Sequence, residues 1–307
     1  NWYRTNPSVV ISLAIDKYCY ISLRESPFAS FNFSLRYRKF EQVNKINEIN
    51  HPSIKNCFEF FNCKNKKLEL VHYADIPGRS GIGSSSSFTV GLLNCLHSLN
   101  NSYPSKKELG LQAIKVEQDL IRENVGSQDQ VIASYGGFNS IQFYKKQFSV
   151  KKIKISNYKK KQLIDSLVLL FTGFSRDSSE ISFHHKNSIN KNVSMLNEIN
   201  SISIEVQNRF DNGKFEINQF AQDLNHTWHI KRKLSKFVTN ENIDTIYRKG
   251  ISCGALGGKL LGAGGGGFIC FIVDPKFKKK FLKKFDKYLH IPVKMDSTGS
   301  KIIYKNQ

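Results

Sequence analysis

Pro77-Gly-Arg-Ser-Gly-Ile-Gly-Ser-Ser-Ser-Ser87 lies between a strand candidate, Leu68–Tyr73, and a helical run from Phe88 to about Leu99. Its glycines let the main chain take positive φ and approach a ligand closely. The serines add hydroxyl donors. The following helix aims free N–H groups and the positive end of its dipole at the same place. These are the physical requirements of a polyphosphate cradle. The segment is not a Walker A loop, since no Gly-Lys-Ser/Thr follows, and not a dinucleotide fingerprint, since G-x-G-x-x-G is absent. A flexible Ser/Gly linker would have no reason to sit between a strand and a helix.

A second cluster, Gly257-Gly-Lys-Leu-Leu-Gly-Ala-Gly-Gly-Gly-Gly267, has strand-like flanks at Lys259–Leu261 and Phe268–Val273. A hairpin turn explains two glycines but hardly a run of four. Such a backbone must lie against a ligand or against another backbone. Between the clusters, Ser105 with Glu108 three positions on forms a capping-box pattern, and the helix it opens runs to about Glu123. That helix carries Glu117; Gly126-Ser-Gln-Asp-Gln130 reads as a loop carrying Asp129. Two carboxylates near a phosphate cradle suit a magnesium ligand and a base or orienting group for an attacking hydroxyl. Taken alone, Glu117 would read as an exposed helix residue.

Outward from these motifs, residues 8–23 read as one strand and residues 31–67 as a polar, irregular stretch of short strands and a helix on a surface. Phe138–Phe143 and Phe148–Ile155 look like paired strands, and Ser166–Thr172 is a continuous apolar run, hence a buried strand. Helical stretches cover roughly 177–211, 215–235 and 240–252. Asp274-Pro275 opens a last helix whose apolar face is Phe277, Phe281, Phe285, Tyr288 and Leu289. The lysine-rich segment Lys151–Lys161 is the natural boundary between two α+β domains.

The 307 residues carry 46 Lys+Arg against 25 Asp+Glu, a formal net charge of +21. Lysines crowd every segment, including solvated helix faces such as Lys276–Lys287, so the charge reads as compositional background and not as a nucleic-acid patch. Hydrophobic residues at 40% exclude wholesale disorder, and no apolar run approaches the ~18–20 residues of a membrane span. The six cysteines are scattered without a C-x-x-C pair, which fits reduced thiols in the cytoplasm, with Cys95 and Cys270 as small core residues. No charged-then-apolar signal segment opens the chain.

Taken together, the motifs resemble those of the GHMP kinase superfamily. Pro77–Ser86 is similar to its second motif, Pro-x-x-x-Gly-Leu-Gly-Ser-Ser-Ala, with Ile82 and Ser86 as departures, and Lys259–Phe268 to its glycine-rich third motif. Gly126–Gln130 and Tyr135–Asn139 resemble the segment of the catalytic aspartate. Within the superfamily, Gly81–Asn94, Phe171–Ile181, Trp228–Ser235 and Gly254–Gly267 most resemble the D-glycero-D-manno-heptose 7-phosphate kinases. The likeness runs from about Val9 to Val273. The superfamily's first motif, a strand with a Gly-Gly-Gly-Thr-Asp-like sugar segment, is not in the sequence, which opens on Asn1 and not Met. The expectation is either a segment ahead of Asn1 or a sugar site lacking that part.

The resemblance implies an α+β, two-domain GHMP kinase fold. An N-terminal ATP-binding domain like ribosomal protein S5 would cover residues 1–158, and a ferredoxin-like C-terminal domain residues 159–307. It implies ATP on Pro77, Gly78 and Ser80–Ser86, with Ser85 and Glu117 holding Mg²⁺. Asp129 would remove or orient the proton of the sugar's anomeric hydroxyl, and Gly264, Gly265 and Gly266 would close on phosphate and substrate. Arg176 and Lys231, with Arg232 beside Trp228, are candidates for pairing with the substrate phosphate. A surface arginine, and basic stems lying along an apolar helix face, explain them equally well. The expected activity is a cytoplasmic sugar-1-kinase acting on a small sugar phosphate, with no nucleic-acid or membrane partner and a homodimer left open. Alternatives are another sugar such as fucose or galactose, or a catalytically silent protein of this fold.

Overall fold

The computed structural model describes residues 2–78, 80–173 and 191–306. In chain order its first half holds β1 (Ser8–Leu13), β2 (Cys19–Glu25), β3 (Phe33–Arg36), β4 (Phe40–Val43), α1 (Pro52–Phe60), β5 (Leu68–Ala74), α2 (Ser84–Leu99), α3 (Lys106–Lys115), α4 (Gln128–Tyr135), β6 (Phe138–Tyr144) and β7 (Gln147–Lys152). Then follow α5 (Asn157–Ser166), β8 (Leu167–Phe171), α6 (Val193–Asp211), α7 (Ile217–Lys231), α8 (Glu241–Ser252), β9 (Ala255–Leu260), β10 (Phe268–Val273), α9 (Lys278–Lys283) and β11 (His290–Ile291).

These elements form two compact units that are interleaved along the chain. One comprises residues 1–16, 79–82 and 137–295; the other comprises 17–78, 83–136 and 296–307. The division therefore does not follow the lysine-rich segment at 151–161, which lies inside the first unit. The cause is strand pairing. β1 runs antiparallel to β6 over its whole length, and β6 to β7, so the first strand is tied to residues more than a hundred positions later.

In the first unit, the β1-β6-β7 sheet is covered by an apolar cluster that includes Phe138, Leu163, Val206, Phe210 and Phe215. Phe210 lies edge-on to Phe138 and stacks on Phe215, geometries that suit the ring quadrupoles. A second antiparallel sheet, in order β11-β8-β10-β9, has a central strand Phe268–Val273 buried at every position. The unbroken apolar run of β10 has this explanation. Trp228 from α7, Ile243, Ile246 and Tyr247 from α8, and Phe281 and Phe285 pack on it. The last helix starts at Lys278 and not at Pro275. Asp274 Oδ1 accepts from Lys276 N (2.9 Å), so Asp274-Pro275 makes a turn ahead of it. Phe277 and Leu289 are exposed, and the apolar face is narrower than expected.

Gly257 on β9 lets α7 approach the sheet main chain to main chain: a Cβ there would run into the carbonyl oxygen of Ala221. Neither backbone can give way. Gly257→Val is expected to destabilise the protein by about 3 kcal/mol or more, read as a fall in the thermal midpoint.

In the second unit the sheet order is β2-β5-β3-β4, with β3 parallel to β5 and the other pairs antiparallel. Residues 31–67 are not peripheral. Phe33, Leu35, Ile54, Cys57, Phe58 and Cys63 are fully buried and join Leu92, Leu93 and Leu96 of α2 in the core. Short elements with polar residues between the apolar ones hid this region's burial. The expected single strand over 8–23 is two. Ala14 N–H donates to Gly137 O and Asp16 N–H to Lys294 O, ending β1, and β2 starts anew against β5.

Candidate active site

α2 starts at Ser84, four residues earlier than the apolar pattern suggests, so the serines form its first turn. The preceding Gly83 is left-handed, at φ 79°, and Ser87 N–H donates to its carbonyl (2.9 Å). A left-handed glycine followed by small hydroxyl residues lets the chain turn sharply into the helix without covering its first amides. Ser85 is exposed and Ser86 buried, while Pro77 and Gly78 ahead of the turn are exposed.

Asp129 is not on a loop. It occupies the first turn of α4, which begins at Gln128. The stretch before it is closed by Gln118, whose Nε2 donates to Val125 O and Ser127 Oγ, both at 3.0 Å. The Asp129 carboxyl lies directly against Gly83: a Cβ at that glycine would stand 3.3 Å from Asp129 Cβ and Cγ. Burial raises the Asp129 pKa. The far end of α4 is also held. Ser300 N–H donates to Ala133 O (2.8 Å), and Lys106 Nζ donates to Tyr135 O (2.8 Å) and Thr298 O (2.6 Å). Nothing in the sequence pointed to residues 298–300 as a support for the aspartate's helix.

Glu117 is 1% exposed and sits in a π-helical turn, Val116–Leu120, where Ile121 N–H reaches back five residues to Val116 O. Such bulges recur at functional sites because they re-aim a side chain within a helix. Glu117 Oε2 accepts from Ser86 Oγ (2.9 Å) and from Gln130 Nε2 in a close contact. Its Oε1 is buried with no donor, and so is Gln130 Oε1. Burial pushes the Glu117 pKa up to about 7, against the opposing pull of the Gln130 and Ser86 hydrogen bonds and of the nearby Thr89 hydroxyl, which donates to Ser85 O (3.3 Å). An orphaned carboxylate oxygen is a hard donor suited to Mg²⁺, which takes one or two carboxylates and completes its shell with phosphate and water. No group of three His, Cys, Asp or Glu side chains that could hold a metal occurs among the described residues. The serine bonded to Glu117 is Ser86, not Ser85. The sequence put Ser86 in the expected ATP loop and Gln130 in the aspartate segment, but paired neither of them with Glu117.

In the first unit, the glycine-rich turn 261–267 answers which surface its backbone meets. A Cβ on Gly262 would stand 2.7 Å from Gly81 Cα, one on Gly81 3.3 Å from Leu261 O, and one on Gly267 would strike Ser80 O. The partner is the main chain of Ser80–Gly81. Gly264 lies equally close to Val238, whose carbonyl accepts Gly265 N–H (2.8 Å); Gly265 and Gly266 are buried. The Lys231 ammonium donates to Leu260 O (3.1 Å) and Gly262 O (2.5 Å). Burial pushes its pKa down to about 7, with Lys259 adding to the shift. Arg232 pairs with Asp244 and lies over the Trp228 ring. Arg176 falls outside the described residues.

The model of the GHMP kinases N terminal domain matches residues 52–137, and that of the GHMP kinases C terminal region residues 215–290. A D-glycero-alpha-D-manno-heptose 7-phosphate kinase of Campylobacter jejuni is 32% identical over 230 residues, 74% of this chain and 67% of that protein. The chain belongs to the GHMP kinase family. As a GHMP kinase it is an ATP-dependent phosphotransferase with an alcohol group as acceptor, and its substrates are small molecules. A bifunctional fucokinase/GDP-fucose pyrophosphorylase of Arabidopsis thaliana is 22% identical over 74% of this chain, which spans 22% of the plant protein. The structure of a D-glycero-D-manno-heptose 1-phosphate kinase from Bacteroides thetaiotaomicron has the same fold, with a TM-score of 0.77, 21% identity and coverage of 97% of this chain and 92% of that one. The α+β GHMP kinase fold expected from the motifs is therefore the fold of this chain. No helix among the described residues is long and apolar enough to cross a membrane.

Proposed function

We propose that this GHMP kinase transfers the γ-phosphoryl group of ATP to the anomeric hydroxyl of D-glycero-D-manno-heptose 7-phosphate. The observation that carries the chemistry is the half-buried Asp129 carboxyl packed on Gly83, beside the serine-rich first turn of α2. The substrate class is drawn from the Campylobacter jejuni relative.

The first-turn amides of α2 and the backbone of Gly81–Ser86 would bind the phosphates. Asp129 would accept a hydrogen bond from the attacking hydroxyl, orient its oxygen, and receive the proton as the O–P bond forms. Phosphoryl transfer asks little covalent chemistry of the protein, so alignment and charge placement dominate. Glu117 and Ser85 would hold Mg²⁺, and Ser86 and Gln130 would fix Glu117 by occupying its other oxygen. When bound, the ion neutralises charge on the phosphate oxygens.

The test is a panel of heptose 7-phosphate, fucose, galactose and mannose with ATP and Mg²⁺, followed by ADP release. Turnover confined to the heptose phosphate, with product phosphorylated at C1, is expected. Turnover with fucose or galactose but not the heptose phosphate would replace the substrate assignment. No turnover on any sugar would remove the sugar-kinase reading.

A further inference from the structure

The motif Trp228-His-Ile-Lys-Arg-Lys-Leu-Ser235 has no part in the chemistry above, yet one of its side chains, Lys231, reaches the glycine-rich turn. Trp228 is fully buried and anchors the last turn of α7 beside Tyr247. Lys231, the last residue of that helix, directs its ammonium to Leu260 O and Gly262 O. A cation suits a helix C-terminus, and one ammonium can bridge two carbonyls that would otherwise repel each other. Past the helix, Arg232 and Thr239 both bind Asp244, Thr239 at 2.6 Å, which fixes the segment that offers Val238 O to Gly265 N–H. Thr172 holds the other end of the turn, its N–H and Oγ1 each donating to Gly267 O at 2.9 Å.

The turn is thus held at start, middle and end, and Lys231 is its only side-chain hold at the start among the contacts described. What the start of the turn supports is specific: Gly262 lies against Gly81, with no room for a methyl group between them. Displacing Gly262 moves the surface on which Ser80–Gly81 rests.

We propose that Lys231 is a positioning residue for phosphoryl transfer: it clamps Leu260 and Gly262, and through Gly262 sets the backbone of Gly81 at the head of the phosphate-binding loop. This rests on the reading of Gly81–Ser86 as that loop, and it gives Lys231 a role other than pairing with the substrate phosphate.

Hydrogen exchange and steady-state kinetics of wild type, Lys231→Met, Lys231→Gln and Lys231→Arg test it. Wild type is first compared with and without Mg²⁺ and a non-hydrolysable ATP analogue. Absence of protection over residues 80–86 would defeat the phosphate-loop reading itself, independently of Lys231. With that protection present, Lys231→Met is expected to speed exchange over 261–264 about tenfold, leaving 268–273 unchanged. Its kcat should fall about tenfold, with the sugar-phosphate KM within about twofold. Lys231→Arg, which keeps charge and donors, should recover most of both, and Lys231→Gln should fall between. If Lys231→Met does not fold, the Gln and Arg variants carry the comparison. A sugar-phosphate KM raised tenfold with exchange over 261–264 unchanged would overturn the proposal and make Lys231 a substrate ligand.

Discussion

Asp129→Asn is expected to lower kcat by about 10²–10⁴-fold, the range for removal of a positioned acid–base group, while the KM for ATP should change little and the fold should persist. Asparagine keeps the size and planarity of the side chain, so contact with Gly83 survives and only charge and basicity are lost. Stability separates this from a structural defect. Burial raises the Asp129 pKa above its unfolded value, so the native state binds more protons than the unfolded state in the window just above the ordinary aspartate range. Stability therefore falls as pH rises through that window, and ionised Asp129 is a cost at neutral pH. The Asn variant removes that cost, and its thermal midpoint at pH 7 should equal or exceed that of wild type. A variant that is inactive but no less stable marks a group kept for chemistry. Full kcat in Asp129→Asn would remove the aspartate from its role, and a lowered midpoint would make its loss of activity structural.

Some of this site was legible in residue order and some could not have been. The loop-to-helix junction at Pro77–Ser87 was readable because clustered glycine and serine interrupt both strand and helix patterns, and α2 does begin there. The capping box at Ser105 was readable because it is local: Ser105 Oγ accepts from Glu108 N–H, and Glu108 reaches back to Ser105 N–H (2.7 Å). Asp129 reads as a loop residue, since Gly126-Ser-Gln offers no apolar periodicity to announce a helix, but it stands in the first turn of α4. The contacts of Glu117 with Ser86 and Gln130 join residues 31 and 13 positions away, and no periodicity reports such pairings. The same holds for the burial of Phe33, Ile54 and Phe58, whose short elements become core only because β5 and α2 close over them. The glycine run posed a choice between ligand and backbone. Only spatial proximity settled Gly262 and Gly267 on Gly81 and Ser80.

Glu117→Gln should have opposite effects on stability and on activity. The wild-type carboxyl is buried and its pKa stands at about 7, against an ordinary value of 4.5. Between those two values the native state holds a proton that the unfolded state has released, so stability of the metal-free protein declines as pH rises from 4.5 to 7 and levels off above. A shift of that size amounts to about 3 kcal/mol, enough to move a thermal midpoint by on the order of 5 °C. Glutamine cannot ionise. With Mg²⁺ chelated, its midpoint should be flat over that window and higher than wild type at pH 8. Added Mg²⁺ should raise the wild-type midpoint at pH 8, because the orphaned Oε1 gains a partner for its charge, and should leave Glu117→Gln unmoved. In turnover the order reverses, with kcat/KM of Glu117→Gln at least about a hundredfold below wild type. A wild-type midpoint independent of pH in the absence of Mg²⁺ would contradict the buried-carboxyl account. A Gln variant still stabilised by Mg²⁺ would move the ion elsewhere. On the proposed role the balance would explain why so costly a residue sits in the interior: a carboxylate already stripped of water and short of one donor would be held for a cation, and the stability it withholds would be returned on binding.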